Sequence, residues 1–397
     1  MMLVEQHITL RGLTWDHRRA IAPLQAVQAA FTLAEPNISI DWSVRDLRQF
    51  EHQSLEEVAS SFDLILFDHP FVGRMAASGA FSPVDDVLMC VAGATDAAYY
   101  AGPSLASYRL NGQTWGVPVD AATMHAVYRA DLLANVCDDI PVSWSDVINL
   151  GRRVRKAGLW LGLANGDHHG FLAVGSLMHN LGAGWATGNG EGMQFSISGF
   201  RQALSCLRQA TAFAPPQAAS WNSIALHDAM TTRDDIVYCP LTFGYATYGE
   251  EDFCARRLKF SAAPGLLVPY ASGTLLGGAA IGLSAACKQP DAAKKYLSFV
   301  LQPDIQTQLF GKHHGQPAAL TAWEHDELDT RFNGYFKDVH PTLTMAATRP
   351  RFDGYGRFEK YAGALVSQHL QGEISENTIV EHISKLIDQT RVGSTAP

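Results

Sequence analysis

Long apolar runs are missing from this chain. No stretch approaches the roughly 18 residues that a membrane-spanning helix needs, so no span is predicted. Positive charge is also scarce. Thirty Lys and Arg stand against 39 Asp and Glu, for a formal net charge of −9. That balance argues against a surface that holds phosphate backbones, so nucleic acid is not an expected partner. The one basic cluster, Arg152, Arg153, Arg155 and Lys156, reads as the solvated face of a helix. Six cysteines (Cys90, Cys137, Cys206, Cys239, Cys254, Cys287) form no C-x-x-C pair, which excludes zinc-knuckle and thioredoxin spacing. Most sit among apolar neighbours and read as buried thiols. The G-x-G-x-x-G fingerprint, the P-loop, the G-x-S-x-G elbow and the H-E-x-x-H helix are absent, so no nucleotide cofactor or metal is expected. The first residues up to His7 carry neither a cationic n-region nor an apolar h-region. Two expectations stay open: a leader trimmed away, or a protein made without one.

What is present is enough for two folded domains: 397 residues, 47% hydrophobic and 17% charged. The first third alternates between two periods. Ile8 to Leu13 reads as a strand ending at Thr14-Trp15-Asp16-His17. Ile21, Leu24, Val27, Phe31 and Ala34 recur at helical spacing, which predicts a helix over 18–34. Residues 38–44 alternate as a second strand. Ser54 and Glu57 have capping-box spacing. Phe62 to Phe67 is a short apolar run, as for a strand buried on both faces, and ends in Asp68-His69-Pro70. This strand–helix alternation predicts an α/β sheet. Asn111-Gly112 predicts a hairpin turn, followed by a segment whose Pro118 suits an edge strand or a crossing. Ser143 and Asp146 open a helix. Gly182 to Gly192 is a glycine-rich loop containing Trp185. Residues 235–240 read as a strand ending in a proline turn.

The last third holds the most informative unit. Leu275 to Ser284 is a glycine-tipped strand running into a helix started by Pro290 and Asp291. A second short helix begins at Pro303, and Gly-Gln-Pro-Ala closes the unit at Gly315 to Ala318. This order resembles the returning segment of bacterial extracellular solute-binding proteins, family 1, of carbohydrate type: the capture component of ABC importers. The strand end at Trp15, the Phe62 to Asp68 run, the Asn111 to Pro118 crossing, Pro141 with Trp144, and Asp235 to Pro240 occur in the matching order. The resemblance implies an α/β, two-lobed periplasmic-binding-protein-like type II fold with crossing hinge strands. Lobe one would be 1–117 plus 266–318, and lobe two 118–265 plus 319–397. It also implies a monomeric protein, periplasmic or extracellular, that captures a small polar ligand (a sugar or sugar acid) between closing lobes. That protein would deliver it to ABC permease membrane subunits and perform no chemistry.

Ligands of open α/β sheets lie at the carboxyl ends of the strands. On that rule lobe one would supply Trp15, Asp16, His17, Asp68 and His69. An indole can stack on a sugar ring, and carboxylates and imidazoles can bond its hydroxyls. The plainer reading is that Asp16 caps the helix and His17 is exposed. Lobe two would supply Trp185, Phe243, Tyr245 and Arg351; Gly277 and Gly278 could let the backbone approach a ligand closely, or mark a strand bulge. Tyr270, the His168-His169 and His313-His314 pairs, and Arg349 beside Pro350 are weaker candidates. A guanidinium in that loop would suit an acidic ligand. The Asp-His dipeptides keep two alternatives open: a cytosolic enzyme on the same fold, with an imidazole tuned by its carboxylate, or an intracellular ligand sensor.

Overall fold

A computed structural model describes residues 7–137, 139–184, 186–187, 193–267 and 273–392. The chain divides into two compact units. Unit 1 is Met1–Ala121 with Gly277–Leu328, and unit 2 is Ala122–Leu276 with Asp329–Pro397. These divisions fall later in the chain than 117/118, 265/266 and 318/319. The strand Val117–Tyr128 continues past Pro118 and through the first division, and the strand Leu276–Ser284 begins at the second. The first two boundaries therefore track continuous strands, and the third falls within the helix Asp326–Arg331.

Unit 1 is built on three parallel strands. Ile8–Trp15 pairs along its whole length with Ile38–Arg45, from Ile8 opposite Ile38 to Trp15 opposite Arg45. On its other edge it pairs with Leu64–Phe67. The returning strand Leu276–Ser284 then joins antiparallel to Leu64–Phe67, Ala280 facing Phe67. Leu64, Ile65, Leu66 and Phe67 are almost fully buried, which is why this run carries no polar alternation. The helix Arg18–Ala34 covers the sheet through Ala20, Leu24, Val27 and Phe31, whereas Ala34 of the expected stripe faces water. Phe31 meets Tyr296 edge-on at 5.3 Å, which seats the helix Pro290–Val300 beside it. The short helix after Pro303 winds as a π-helix over Ile305–Gly311.

Local signals set several turns. Asn111 and Gly112 both have positive φ (54° and 76°) and join Arg109–Leu110 to Gln113–Thr114, the conformation that Asn-Gly favours in two-residue hairpins. The capping box expected at Ser54 is only half made: Ser54 Oγ accepts from Glu57 N, but its own hydroxyl donates to Glu56. A reciprocal box forms one helix earlier, between Asp46 and Gln49. Pro118 is not on an exposed edge, since its strand is buried at every position but the last. Its neighbours take the bonds instead: Ala318 N donates to Val119 O and Ala121 N to Gln316 O, fastening the Gly315 to Ala318 turn to this strand.

In unit 2 the strand Val117–Tyr128 pairs antiparallel with Ile236–Phe243 and Lys259–Ser261, and Ile236–Phe243 pairs parallel with Trp160–Leu161. Pro240 does not end its strand. The register shifts between Cys239 and Thr242, and this bulge admits a residue without an N–H. The helix Trp144–Lys156 opens with the full Ser143–Asp146 box and buries Trp144, Val147, Leu150 and Val154, while Arg152, Arg153, Arg155 and Lys156 face water. The helices His169–Asn180, Ile197–Thr211, Tyr355–Leu370 and Glu376–Val392 complete a core around Phe171, Phe200, Leu204, Phe358, Val366 and Ile383. All six cysteines are unpaired, and only Cys239 is buried. Cys90 is exposed, and Cys137, Cys206, Cys254 and Cys287 are half-buried.

One half-buried imidazole makes stability pH-dependent. His179, in the last turn of its helix, is packed so closely that a Cβ on Gly184 would fall 2.2 Å from its ring. Burial pulls its pKa down from 6.5 to about 4. A depressed histidine contributes stability that is present above pH 6.5 and lost as pH falls toward 4. Between those limits the loss is expected to reach roughly 2–3 kcal/mol. Urea midpoints measured from pH 7 to pH 4 should fall less steeply in His179→Asn than in the parent. Parallel slopes would contradict this assignment.

Candidate functional site

The parallel pairing of unit 1 brings the carboxyl ends of its first three strands to one end of the sheet. Trp15 closes the first strand and is only 4% exposed, with Phe50 against its ring at 4.9 Å, so a freely stacking indole is not what the fold presents. Asp16 follows, exposed, its N–H donating to Arg45 O at 2.7 Å. The helix cap is His17, not Asp16: His17 Nδ1 accepts from Arg19 N at 3.0 Å. That bond commits Nδ1 as an acceptor and leaves the carboxylate of Asp16 unspent on the helix.

Asp68 ends the third strand and caps the short 3₁₀ turn His69–Phe71, accepting from His69 N at 2.7 Å. His69 is fully buried, with Nδ1 2.9 Å from Asp68 Oδ1 and its ring edge-on to Tyr108. Trp15, Asp16, His17, Asp68 and His69 therefore share one end of the sheet. Of these, Asp16 is exposed, and His17 and Asp68 are half-buried.

Two features here escaped the sequence reading. Arg19 and Asp120 form a buried two-point ion pair, Nε to Oδ2 at 2.9 Å and Nη2 to Oδ1 at 2.5 Å. Burial pushes the Asp120 carboxyl up; Arg19 pulls it back, and Asp68 adds to the upward push. The available signal was a lone charge inside the apolar run Val117-Pro118-Val119-Asp120-Ala121, because a buried carboxylate requires a partner. The second is Arg45, opposite Trp15, whose Nη2 donates to Leu66 O at 2.9 Å.

Gly277 is buried within its strand. Gly278, the other glycine of the expected pair, has φ of 109° and its Cβ position 2.3 Å from Asp120 O, so its close approach is to the neighbouring strand's backbone.

In unit 2, Phe243 is half-buried at the end of its strand and lies 5.9 Å from the guanidinium of Arg349. Arg349 is committed elsewhere: its Nη1 donates to both carboxylate oxygens of Glu359, at 3.2 and 3.3 Å. His168 Nε2 lies 3.8 Å from the same carboxylate, and His168 stacks on His169 at 4.9 Å, so this pair is buried rather than solvated. Arg351 is half-buried, which lowers its pKa. Tyr245 is 6% exposed and packs into an aromatic cluster with His227 and Tyr248, so the fold uses it as core. Trp185 and Tyr270 lie outside the described residues.

A family model described as bacterial extracellular solute-binding protein matches residues 51–331. A probable amino-acid ABC transporter periplasmic-binding protein, y4oP, of Sinorhizobium fredii is 22% identical over 196 residues. That match spans 48% of this chain and 43% of the relative, so the chain aligns with under half of the relative's length. Among solved structures, maltose-bound MalE3 of T. maritima has a TM-score of 0.81 at 14% identity, covering 96% of this chain and 99% of that one. The ABC transporter solute-binding protein of Agrobacterium radiobacter K84 in complex with ribitol also has a TM-score of 0.81, at 15% identity, covering 98% and 99%.

Proposed function

The chain belongs to the bacterial extracellular solute-binding protein family and has its two-lobed α/β periplasmic-binding-protein fold, and from that premise we propose that it captures a small polar, carbohydrate-like solute for an ABC importer. The observation that carries the reading is the set of polar groups at the ends of three parallel strands in unit 1. Asp16, His17 and Asp68 are held in place by backbone and cap bonds, with the Asp16 side chain exposed and Asp68 half-buried. Groups fixed in this way can bond vicinal hydroxyls with little ordering cost. The sugar and polyol in the similar solved structures support the same class. Phe243 and Arg351, at a strand end and a late loop of unit 2, are the residues we assign there, and His69 supports Asp68 from below. On this reading the protein is monomeric, works in the periplasm or outside the cell, and hands its solute to permease subunits. Among the described residues, no helix is long and apolar enough to cross a membrane.

The family is one of binding proteins and not of enzymes, which removes the catalytic reading of the Asp-His dipeptides. The geometry gives the physical reason. His17 has one nitrogen committed to the helix cap, and His69 Nδ1 is held 2.9 Å from Asp68 Oδ1.

A thermal-shift panel of neutral sugars, polyols and amino acids tests the proposal. A solute at a hundred times its Kd adds about 2.7 kcal/mol to native stability, several degrees in a chain of this size. A shift from one sugar or polyol class is expected. It should be weakened at least about tenfold in Asp16→Ala, the loss for a hydrogen bond to a charged group, with little change in unliganded stability. A shift confined to amino acids, the class in the name of the Sinorhizobium fredii relative, would sink the carbohydrate reading.

A further inference from the structure

Arg45 stands out at the strand ends of unit 1 for what surrounds it. Its side chain is 5% exposed. It donates to Leu66 O and, at 3.3 Å, to Gln53 Oε1, and its guanidinium lies 5.3 Å from the Phe50 ring. All of these partners are neutral. Among the described residues no carboxylate lies within ion-pair distance of it, unlike the buried Arg19, Arg129 and Arg349, each of which has one. Its Nε–H is buried without an acceptor. Burial lowers its pKa only to about 10, so it remains a cation at neutral pH.

A buried charge without a counter-charge is costly, and cation–π contact with Phe50 offsets only part of that cost. A second orphaned donor sits beside it. Trp15, opposite Arg45 in the strand register and packed on the same Phe50 ring, has its indole Nε1–H buried without an acceptor. One positive charge and two unspent N–H donors, in one corner at the ligand end of a parallel sheet, match a monoanion with two oxygens.

We propose that this corner receives a carboxylate of the solute, with Arg45 as the anion-recognising residue and Trp15 Nε1–H as a second donor. The inference rests on the solute-site reading above and narrows it from sugars in general to sugar acids and their relatives. Arg45 selects among solutes; Asp16, His17 and Asp68 bond whatever hydroxyls the selected solute carries.

Matched pairs of solutes test it by calorimetry on the full chain at pH 7: D-gluconate against D-glucitol, D-galacturonate against D-galactose, and L-leucine against L-leucinamide. The acid member of a sugar pair is expected to bind at least about tenfold more tightly than its neutral partner, the usual effect of a charge-assisted hydrogen bond. Arg45→Met should abolish that preference. Should that variant fold poorly, because Arg45 also ties Leu66 O and Gln53, Trp15→Phe keeps the ring and removes the donor. It should weaken the acid several-fold and the neutral sugar markedly less, narrowing the preference for the acid. Equal or tighter binding of the neutral sugar overturns the anion inference and leaves the carbohydrate reading standing. Binding of leucine alone, lost in leucinamide and in Arg45→Met, overturns the carbohydrate reading and sustains the anion site. No binding by any of the six overturns both.

Discussion

Replacing Gly278 with alanine should cost on the order of 3–5 kcal/mol of stability, since two separate penalties of about 1–3 kcal/mol each meet there. The first is conformational: φ at Gly278 is 109°, outside the regions where a side chain is tolerated. The second is steric. A Cβ would stand 2.3 Å from Asp120 O and 3.0 Å from Ala121 Cα, and both obstacles are backbone. A backbone cannot rotate away as a side chain can, and here it is already bonded to the Gly315 to Ala318 turn. Gly158→Ala separates the two penalties. Gly158 also has positive φ, 77°, but nothing lies within 4 Å of its Cβ position, so only the conformational cost of about 1 kcal/mol should appear. Urea unfolding of both variants checks the difference. Equal losses would mean that the close approach to Asp120 relaxes without penalty.

Arg19→Met should lose about 3–5 kcal/mol, because it leaves Asp120 buried with its charge uncompensated. Asp120 is 1% exposed and its carboxyl is already pushed up by burial and by Asp68 even with Arg19 in place. Asp120→Leu should cost a similar amount by stranding the guanidinium. Combining the two exchanges a costly pair for apolar contact, and such replacements in other buried pairs are often near neutral. The double variant Arg19→Met/Asp120→Leu should therefore recover most of the loss. A double-mutant cycle on urea midpoints reads the coupling directly, and simple additivity of the two losses would refute the pairing as a stabilising unit. The pair matters beyond stability. Arg19 lies in the first turn of the helix capped by His17, and Asp120 precedes the point where the chain leaves unit 1. Losing the pair would free both the cap that orients Asp16 and the exit of the strand.

The sequence was legible where a few adjacent residues decide the outcome. The helix over Arg18–Ala34, the Ser143–Asp146 capping box and the Asn111-Gly112 turn each follow from interactions within about four positions, and the structure has all three. The family resemblance was legible because such local signals occur in a particular order. Prolines were read with mixed success. Pro118 read as an edge or a crossing and Pro240 as a stop; both lie inside buried strands, and the strand of Pro118 does cross from unit 1 into unit 2. Long-range polar partners were not legible at all. Arg19 and Asp120 are 101 positions apart, and only the folded chain shows that Arg349 has an acid while Arg45 has none among the described residues. The strand ends could be named from sequence, but which of their side chains stay wet could not. Trp15 and Tyr245 turned inward against Phe50 and Tyr248, contacts that depend on packing.

The order of segments in unit 1 also sets a schedule for its synthesis. The strand Leu64–Phe67 is bordered on one edge by Ile8–Trp15 and on the other by Leu276–Ser284. Its second neighbour leaves the ribosome only after all of Ala122–Leu276 has been made. At typical elongation rates of about 5–20 residues per second, that delay lasts on the order of ten to thirty seconds. Throughout it, the apolar Leu-Ile-Leu-Phe edge has no partner and is open to pairing with other chains. A fragment ending at Ala121 should collect as aggregate rather than as a folded lobe.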